Sequence, residues 1–323
     1  MADTRLLWGI EMSIRFDNRV AIVTGAGTGL GRSHAMGLAA RGAKVVVNDL
    51  GVARDGTGAS QTPAEEVANE IIAAGGEAIA HGTSVTDAAG VEDMVSQAMS
   101  KWGRVDILIN NAGILRDKTF AKMTLEDFQN VVDVHLMGTV TCTKAVWEIM
   151  RQQSYGRIVF TSSSSGLYGN FGQSNYGAAK AAMMGLMNVL HLEGAKYDIR
   201  VNTLAPTAAT RMTEELMPPE MLEVLKPESI TPGVLYLVSE DGPSRCILAA
   251  GAGCFARTMV YETPGIYLSA DENSPEAVAA QFEQLSAADG QLPLQQAFEQ
   301  TEAFAARAAK AMGITLPPRQ GGG

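Results

Sequence analysis

RVAIVTGAGTGLG (residues 19–31) joins a short apolar run to four alternating glycines, Gly25, Gly27, Gly29 and Gly31. The apolar run reads as a buried strand, and a helical pattern follows the glycines to about residue 41. At such a strand-to-helix turn, missing side chains let backbone N–H groups and the helix N-terminus approach a pyrophosphate. A glycine-rich turn alone also serves as a plain tight turn, so the flanking strand and helix carry the reading.

Moving outward, KVVVND (44–49) reads as a second strand ending in Asp49, eighteen residues after Gly31. A dinucleotide fold puts there the carboxylate that accepts hydrogen bonds from the adenosine ribose. The same charge repels a 2′-phosphate by about 4 kcal/mol at a separation of about 4 Å and intermediate dielectric. Thr28, inside the glycine turn, is not basic either, so NAD is expected rather than NADP. Further strands are expected at 77–82, 105–109, 157–161, 199–204 and 246–250. Between them the pattern predicts helices at 63–74, 88–102, 124–150 and 174–196, with Thr124 as an N-cap. Strand and helix alternating in this way predict an α/β fold, one doubly wound parallel sheet of about seven strands. Residues 1–18 read as an N-terminal extension, 19–270 as the nucleotide-binding domain and 271–323 as a helical C-terminal extension rich in Ala, Glu and Gln.

Ligands in open parallel sheets bind beyond the carboxyl ends of the strands. Two stretches there carry candidate chemistry. In NNAG (110–113), Asn111 suits a structural role at a buried strand end and Asn110 a position facing the cofactor. SSSGLYGNFGQSNYGAAK (163–180) ends in Tyr-x-x-x-Lys, and a helix starting near Ser174 puts Tyr176 and Lys180 on one face. Ser163 lies thirteen residues before the tyrosine, at the end of a strand-like run. A free phenol has a pKa of about 10 and is a poor base near neutrality. Bringing it close to neutrality takes roughly 4 kcal/mol of differential stabilisation. An ammonium one turn away and an oxidised nicotinamide are expected to supply it. A serine hydroxyl would orient the substrate oxygen and hydrogen-bond to it as charge develops. Proton transfer coupled to hydride transfer is the chemistry these groups suit.

Composition narrows the function classes. The chain has 323 residues, 46% of them hydrophobic, and a formal net charge of −10. Acidity and the lack of a Lys/Arg run argue against nucleic acid as a main partner. Cys142, Cys246 and Cys254 form no metal-ligand spacing with one another or with the scattered His34, His81, His135 and His191, so no metal is expected. No apolar run reaches the roughly 20 residues of a membrane-spanning helix. MADTRLLWGIEMS (1–13) lacks the order of a signal peptide, and the ending PPRQGGG lacks a peroxisomal Ser-Lys-Leu, so a soluble cytoplasmic protein is expected. The methionine-rich segment 211–225, broken by Pro218-Pro219, suits either ordinary packing or a lid over a fatty substrate.

Together, the glycine turn, NNAG, Ser163 and YGAAK (176–180) resemble the short-chain dehydrogenase/reductase family, in order and spacing over 19–250. VVVNDLG (45–51), NNAGILRDKTFAKM (110–123), YGRIVFTSSSSGLYGNFGQSNYGAAK (155–180) and RMTEELMP (211–218) resemble one subgroup more closely. That subgroup comprises the (3R)-hydroxyacyl-CoA dehydrogenase domain of peroxisomal multifunctional β-oxidation enzymes and its stand-alone bacterial relatives. The resemblance implies a Rossmann-like fold and a homodimer or tetramer acting on an acyl-CoA thioester. It implies Tyr176 as base in oxidation, Lys180 beside the nicotinamide ribose and Ser163 on the substrate oxygen. Gly25, Gly29 and Gly31 would cradle the pyrophosphate and Asp49 would hold the adenosine ribose. Ser84, Val85 and Asn110 would border the adenine side, and Thr210 the carboxamide. Thr28, Leu30, Ala112 and Gly113 complete the implied cofactor set.

Two residues depart from the family pattern. His135 stands where most members carry an asparagine that supports a water and the active-site lysine, and Thr207 where glycine usually follows the proline. The expected activity is therefore NAD-dependent interconversion of 3-hydroxyacyl-CoA and 3-ketoacyl-CoA, without hydratase or sterol-carrier domains. Steroid or other secondary-alcohol oxidation, carrier-protein ketoacyl reduction and non-catalytic dinucleotide sensing are the alternatives.

Overall fold

The computed structural model describes residues 14–53, 55–58, 62–209 and 218–317. Thr210 and residues 211–217 of the expected lid segment lie outside the described residues. The chain divides into two compact units, the first ending at Arg257 and the second beginning at Thr258.

The first unit runs β1 (Val20–Thr24), α1 (Gly29–Ala39), β2 (Lys44–Asn48), α2 (Thr62–Ala73), β3 (Glu77–His81), α3 (Ala88–Trp102) and β4 (Ile107–Asn110). It continues through α4 (Leu125–Val132), α5 (Gly138–Gln153), β5 (Gly156–Thr161), α6 (Ser164–Tyr168), α7 (Ser174–Gly194) and β6 (Ile199–Pro206). Then come α8 (Pro219–Val224), α9 (Thr231–Leu237), β7 (Ile247–Gly251) and β8 (Cys254–Thr258). The sheet order is β3-β2-β1-β4-β5-β6-β7-β8, and β1 to β7 pair in parallel. Between β1 and β4 the winding reverses, which opens the crevice where such folds bind ligands.

Alternation along β1 shows why its sequence reads as unbroken apolar. Ala21 and Val23 pack into one core with Leu38 of α1 and Val67 of α2, whereas Val20 and Ile22 pack into the other with Met94 of α3 and Met150 of α5. Both faces are covered, so both sets of side chains are buried. Each of the buried Val, Leu, Ile and Met side chains among them contributes roughly 1.5–3 kcal/mol. That burial fixes the polar residues just past the strand ends along one edge.

Two features differ from the expectation. The sheet has an eighth strand: β7 turns into β8 through Ala252 and Gly253, both at positive φ (51° and 74°), as a two-residue hairpin requires. The helix expected over 124–150 is interrupted. Thr124 does cap it, accepting from the Asp127 N–H, but a single π turn, Asp133–Met137, separates α4 from α5. Such turns gather at functional sites.

The second unit carries α10 (Pro275–Ala280), α11 (Phe282–Leu285) and α12 (Ala297–Met312). Ser274 caps α10, and Glu262 bridges antiparallel to Leu292. Among the described residues, no helix is long and apolar enough to cross a membrane.

Candidate active site

A cleft of about 1,100 Å³ opens beyond the carboxyl ends of the strands of the first unit. Its walls include the glycine turn, the end of β2, residues 111–116, the serines after β5 and the first turns of α7.

The catalytic stretch is held by two helices. Ser163, extended at the end of β5, is the N-cap of α6, and its Oγ accepts from the Ser165 N–H at 3.2 Å. The same hydroxyl favours the Tyr176 phenolate. Ser162 Oγ donates to the Lys180 carbonyl at 2.7 Å, stapling the strand end to α7. The two helices meet so closely that a Cβ on Gly166 would stand 2.7 Å from the Lys180 carbonyl carbon. Lys180 Nζ lies 5.6 Å from the centre of the Tyr176 ring and donates to the Thr161 carbonyl.

Burial governs both protonation states. The Tyr176 phenol is pushed above its ordinary value by loss of water around the phenolate, with the Ser163 hydrogen bond acting the other way. Burial also lowers Lys180 to about 7. The expected depression of the phenol by its lysine is therefore not what this protein alone produces. Desolvation penalises phenolate and ammonium alike, and the lysine's proton is directed at Thr161.

The cofactor side is built from backbone. Gly25 has φ +62°, and a Cβ there would approach the Ala112 Cα to 2.8 Å. Asn111 locks the turn in place: its Nδ2 donates to the carbonyls of Thr24 (3.1 Å) and Gly25 (3.0 Å). Asp49 Oδ2 accepts from Gly27 N–H at 2.8 Å and Oδ1 from Gly51 N–H at 2.7 Å. Each oxygen keeps a second lone pair, so the fixed carboxylate can still accept from a ribose hydroxyl. A side-chain-free cradle beside an anchored acid fits a nicotinamide dinucleotide.

Of the residues singled out from sequence, Gly25, Thr28, Gly29, Leu30, Asp49, Ser84, Val85, Ala112, Gly113, Ser163, Tyr176 and Lys180 line this cleft. Gly31 and Asn110 do not. Gly31 lies behind the turn, where a Cβ would stand 2.2 Å from the Gly25 carbonyl oxygen, so it lets α1 pack against the turn. Asn110 is buried and donates to Thr143 Oγ1 of α5 at 3.3 Å. Thr210 is outside the described residues.

Three further residues belong to the site. His135, on the π turn, lines the cleft at 3% exposure and meets the Tyr176 ring edge-on, centroids 5.1 Å apart. Its Nε2 engages the Ile114 backbone, and a Cβ on Gly113 would strike its ring at 2.2 Å. Burial first, then the Lys180 charge, holds it well below its ordinary pKa and neutral. Asn175 is fully buried; its Oδ1 accepts from the Tyr176 N–H at 2.7 Å and its Nδ2 donates to the Arg116 carbonyl at 3.0 Å. Arg116, in the loop after NNAG, lines the cleft as well.

Residues 19–220 match the model of the short chain dehydrogenase family, and the chain belongs to that family. Its fold is the one that solved members of this class share. Among individual proteins, it is 47% identical to peroxisomal multifunctional enzyme A of Dictyostelium discoideum over 86% of this chain and 62% of the relative. It is 50% identical to a short-chain type dehydrogenase/reductase of Mycobacterium tuberculosis over 77% of this chain and 87% of the relative. The structure superposes on full-length peroxisomal multifunctional enzyme type 2 from Drosophila melanogaster with a TM-score of 0.77 and 36% identity, covering 93% of this chain and 51% of that one. The chain thus spans about a third to three-fifths of the length of the multifunctional enzymes it resembles.

Proposed function

We propose that the chain is an NAD-dependent dehydrogenase interconverting (3R)-3-hydroxyacyl-CoA and 3-ketoacyl-CoA. The observation that carries this reading is the meeting of Ser163, Tyr176 and Lys180 in the same cleft as the glycine turn and Asp49. Similarity to the multifunctional enzymes, with the motif stretches described above, supports the thioester as substrate class.

A nicotinamide held there would exchange the hydride and, when oxidised, add positive charge near the phenol. Gly25 and Gly29 would approach its pyrophosphate, Asp49 its adenosine ribose, and Lys180 its second ribose. In ketone reduction, neutral Tyr176 gives its proton to the carbonyl oxygen while Ser163 Oγ hydrogen-bonds the same oxygen. The raised phenol pKa suits this acid role. In oxidation Tyr176 takes the hydroxyl proton, and Lys180, lowered to about 7, is set to exchange protons near neutrality. We place this chemistry in the nucleotide-binding domain, and assign the C-terminal helices to an extension of it. A cytoplasmic homodimer belongs to the same proposal, checked by cell fractionation and by sedimentation.

The test is NADH oxidation with acetoacetyl-CoA and a long-chain 3-ketoacyl-CoA, beside a ketosteroid and NADPH. NADH-dependent thioester turnover that vanishes in Tyr176→Phe is the expected result. Turnover of the steroid and neither thioester would overturn the substrate class. NADH binding without any turnover would overturn the enzyme reading in favour of a sensor.

A further inference from the structure

Arg116 reaches three parts of the first unit at once. Its Nε donates to the Asp55 carbonyl at 3.2 Å, on the turn that follows β2. Its Nη1 pairs with Asp127 Oδ1 of α4 at 3.0 Å, and Lys118 Nζ takes the other carboxylate oxygen at 2.8 Å. Its own carbonyl accepts from Asn175, whose other side-chain atom holds the Tyr176 N–H.

The turn it grips is internally tied. Ala53 N–H donates to the Thr57 carbonyl at 2.8 Å and Gly56 N–H to the Ala53 carbonyl at 3.0 Å, while Asp55 Oδ1 accepts from Thr57. Ala53 and Gly56 line the cleft beside Asp49, so the turn flanks the carboxylate at the adenosine side. The Arg116 side chain therefore joins that turn to α4, and its main-chain carbonyl meets, through one buried asparagine, the backbone of the catalytic tyrosine.

We propose that Arg116 is a positioning residue that latches the adenosine-side turn to the helix carrying Tyr176, so that binding of the dinucleotide and alignment of the phenol are coupled. The inference rests on the cleft holding a nicotinamide dinucleotide, as proposed above. A planar guanidinium can bond in two directions at once, whereas a lysine ammonium is a single point charge. Arg116→Lys therefore keeps the pair with Asp127 and releases Asp55, while Arg116→Ala releases both.

The experiment uses the full chain and three readouts: the NADH dissociation constant by fluorescence, exchange of the Ala53 and Gly56 amides in ligand-free protein, and kcat. In Arg116→Lys, the NADH dissociation constant rises about fivefold, both amides exchange about tenfold faster, and kcat falls less than in Arg116→Ala. Arg116→Ala shows the same two losses and a kcat about tenfold lower. Unchanged NADH affinity and amide exchange in Arg116→Lys would overturn the proposal. An equal fall of kcat in both variants would also overturn it, since that is the mark of a merely structural residue. Affinity and exchange need no thioester turnover, so a failure of the substrate assignment is read separately from a failure of the latch.

Discussion

The two sides of the cleft are made of different material. The glycine turn is backbone, held by the amide of Asn111 and by a carboxylate that accepts two N–H groups. Its fitness depends on the space left by absent side chains. The serine-tyrosine-lysine side joins a half-buried phenol to a buried ammonium, and desolvation sets the direction of both pKa shifts. Space governs recognition on one side and desolvation governs reactivity on the other, so substitutions should separate binding from chemistry.

The largest expected effect is on the reactive side. Tyr176→Phe should lower kcat by about a thousandfold or more, the scale of lost acid–base catalysis. NADH affinity, measured by fluorescence, should stay within about twofold. A parallel loss of affinity would blur the distinction between the two sides. Gly31→Ala is the converse. Its Cβ would stand 2.2 Å from the Gly25 carbonyl oxygen, so the turn must shift. NADH binding should weaken by about a hundredfold. The pH dependence of residual turnover should be preserved, because no ionisable group is touched.

A pH titration sharpens the contrast further. Lys180 falls from an ordinary 10.5 to about 7 on folding, so the unfolded chain binds the proton more tightly. The resulting penalty is fully present below about pH 7 and is relieved as pH rises toward 10.5. Thermal melts of ligand-free protein should therefore show this contribution rising through that window, and Lys180→Met should remove it. The smallest effect concerns Asp127, held down to about 2 chiefly by Lys118, then by Arg116 and Thr124. Its stabilising contribution is present above its ordinary 3.8 and is lost as pH falls through about 2. Asp127→Asn should flatten that part of the acid-unfolding curve and leave the Lys180 window unchanged.

The sheet was legible because β1, β2 and β5 are buried on both faces and read as unbroken apolar runs, while the helices between them read at their own period. The glycine turn, Asp49 and the Tyr176–Lys180 pair were legible because each lies within a single strand-to-helix segment or helix turn, where spacing implies geometry. β8 was hidden: its residues are nearly all exposed, and Ala252 is an unusual residue for a positive φ. The π turn was hidden too, because one extra residue in a helix leaves the hydrophobic pattern almost unchanged.

By itself, then, the sequence determined the doubly wound architecture through local periodicity and the glycine turn, Asp49 and the Tyr176–Lys180 pair through spacing, while the rest of the cleft lining followed from the family resemblance. Tertiary structure decided that Gly31 and Asn110 serve the walls rather than line the cleft. It also brought His135 against Tyr176 across forty-one positions of chain and set the phenol above, rather than below, its ordinary pKa. Those outcomes depend on which atoms exclude water from which others. That is a property of packed elements distant in sequence, and no spacing of residues along the chain encodes it.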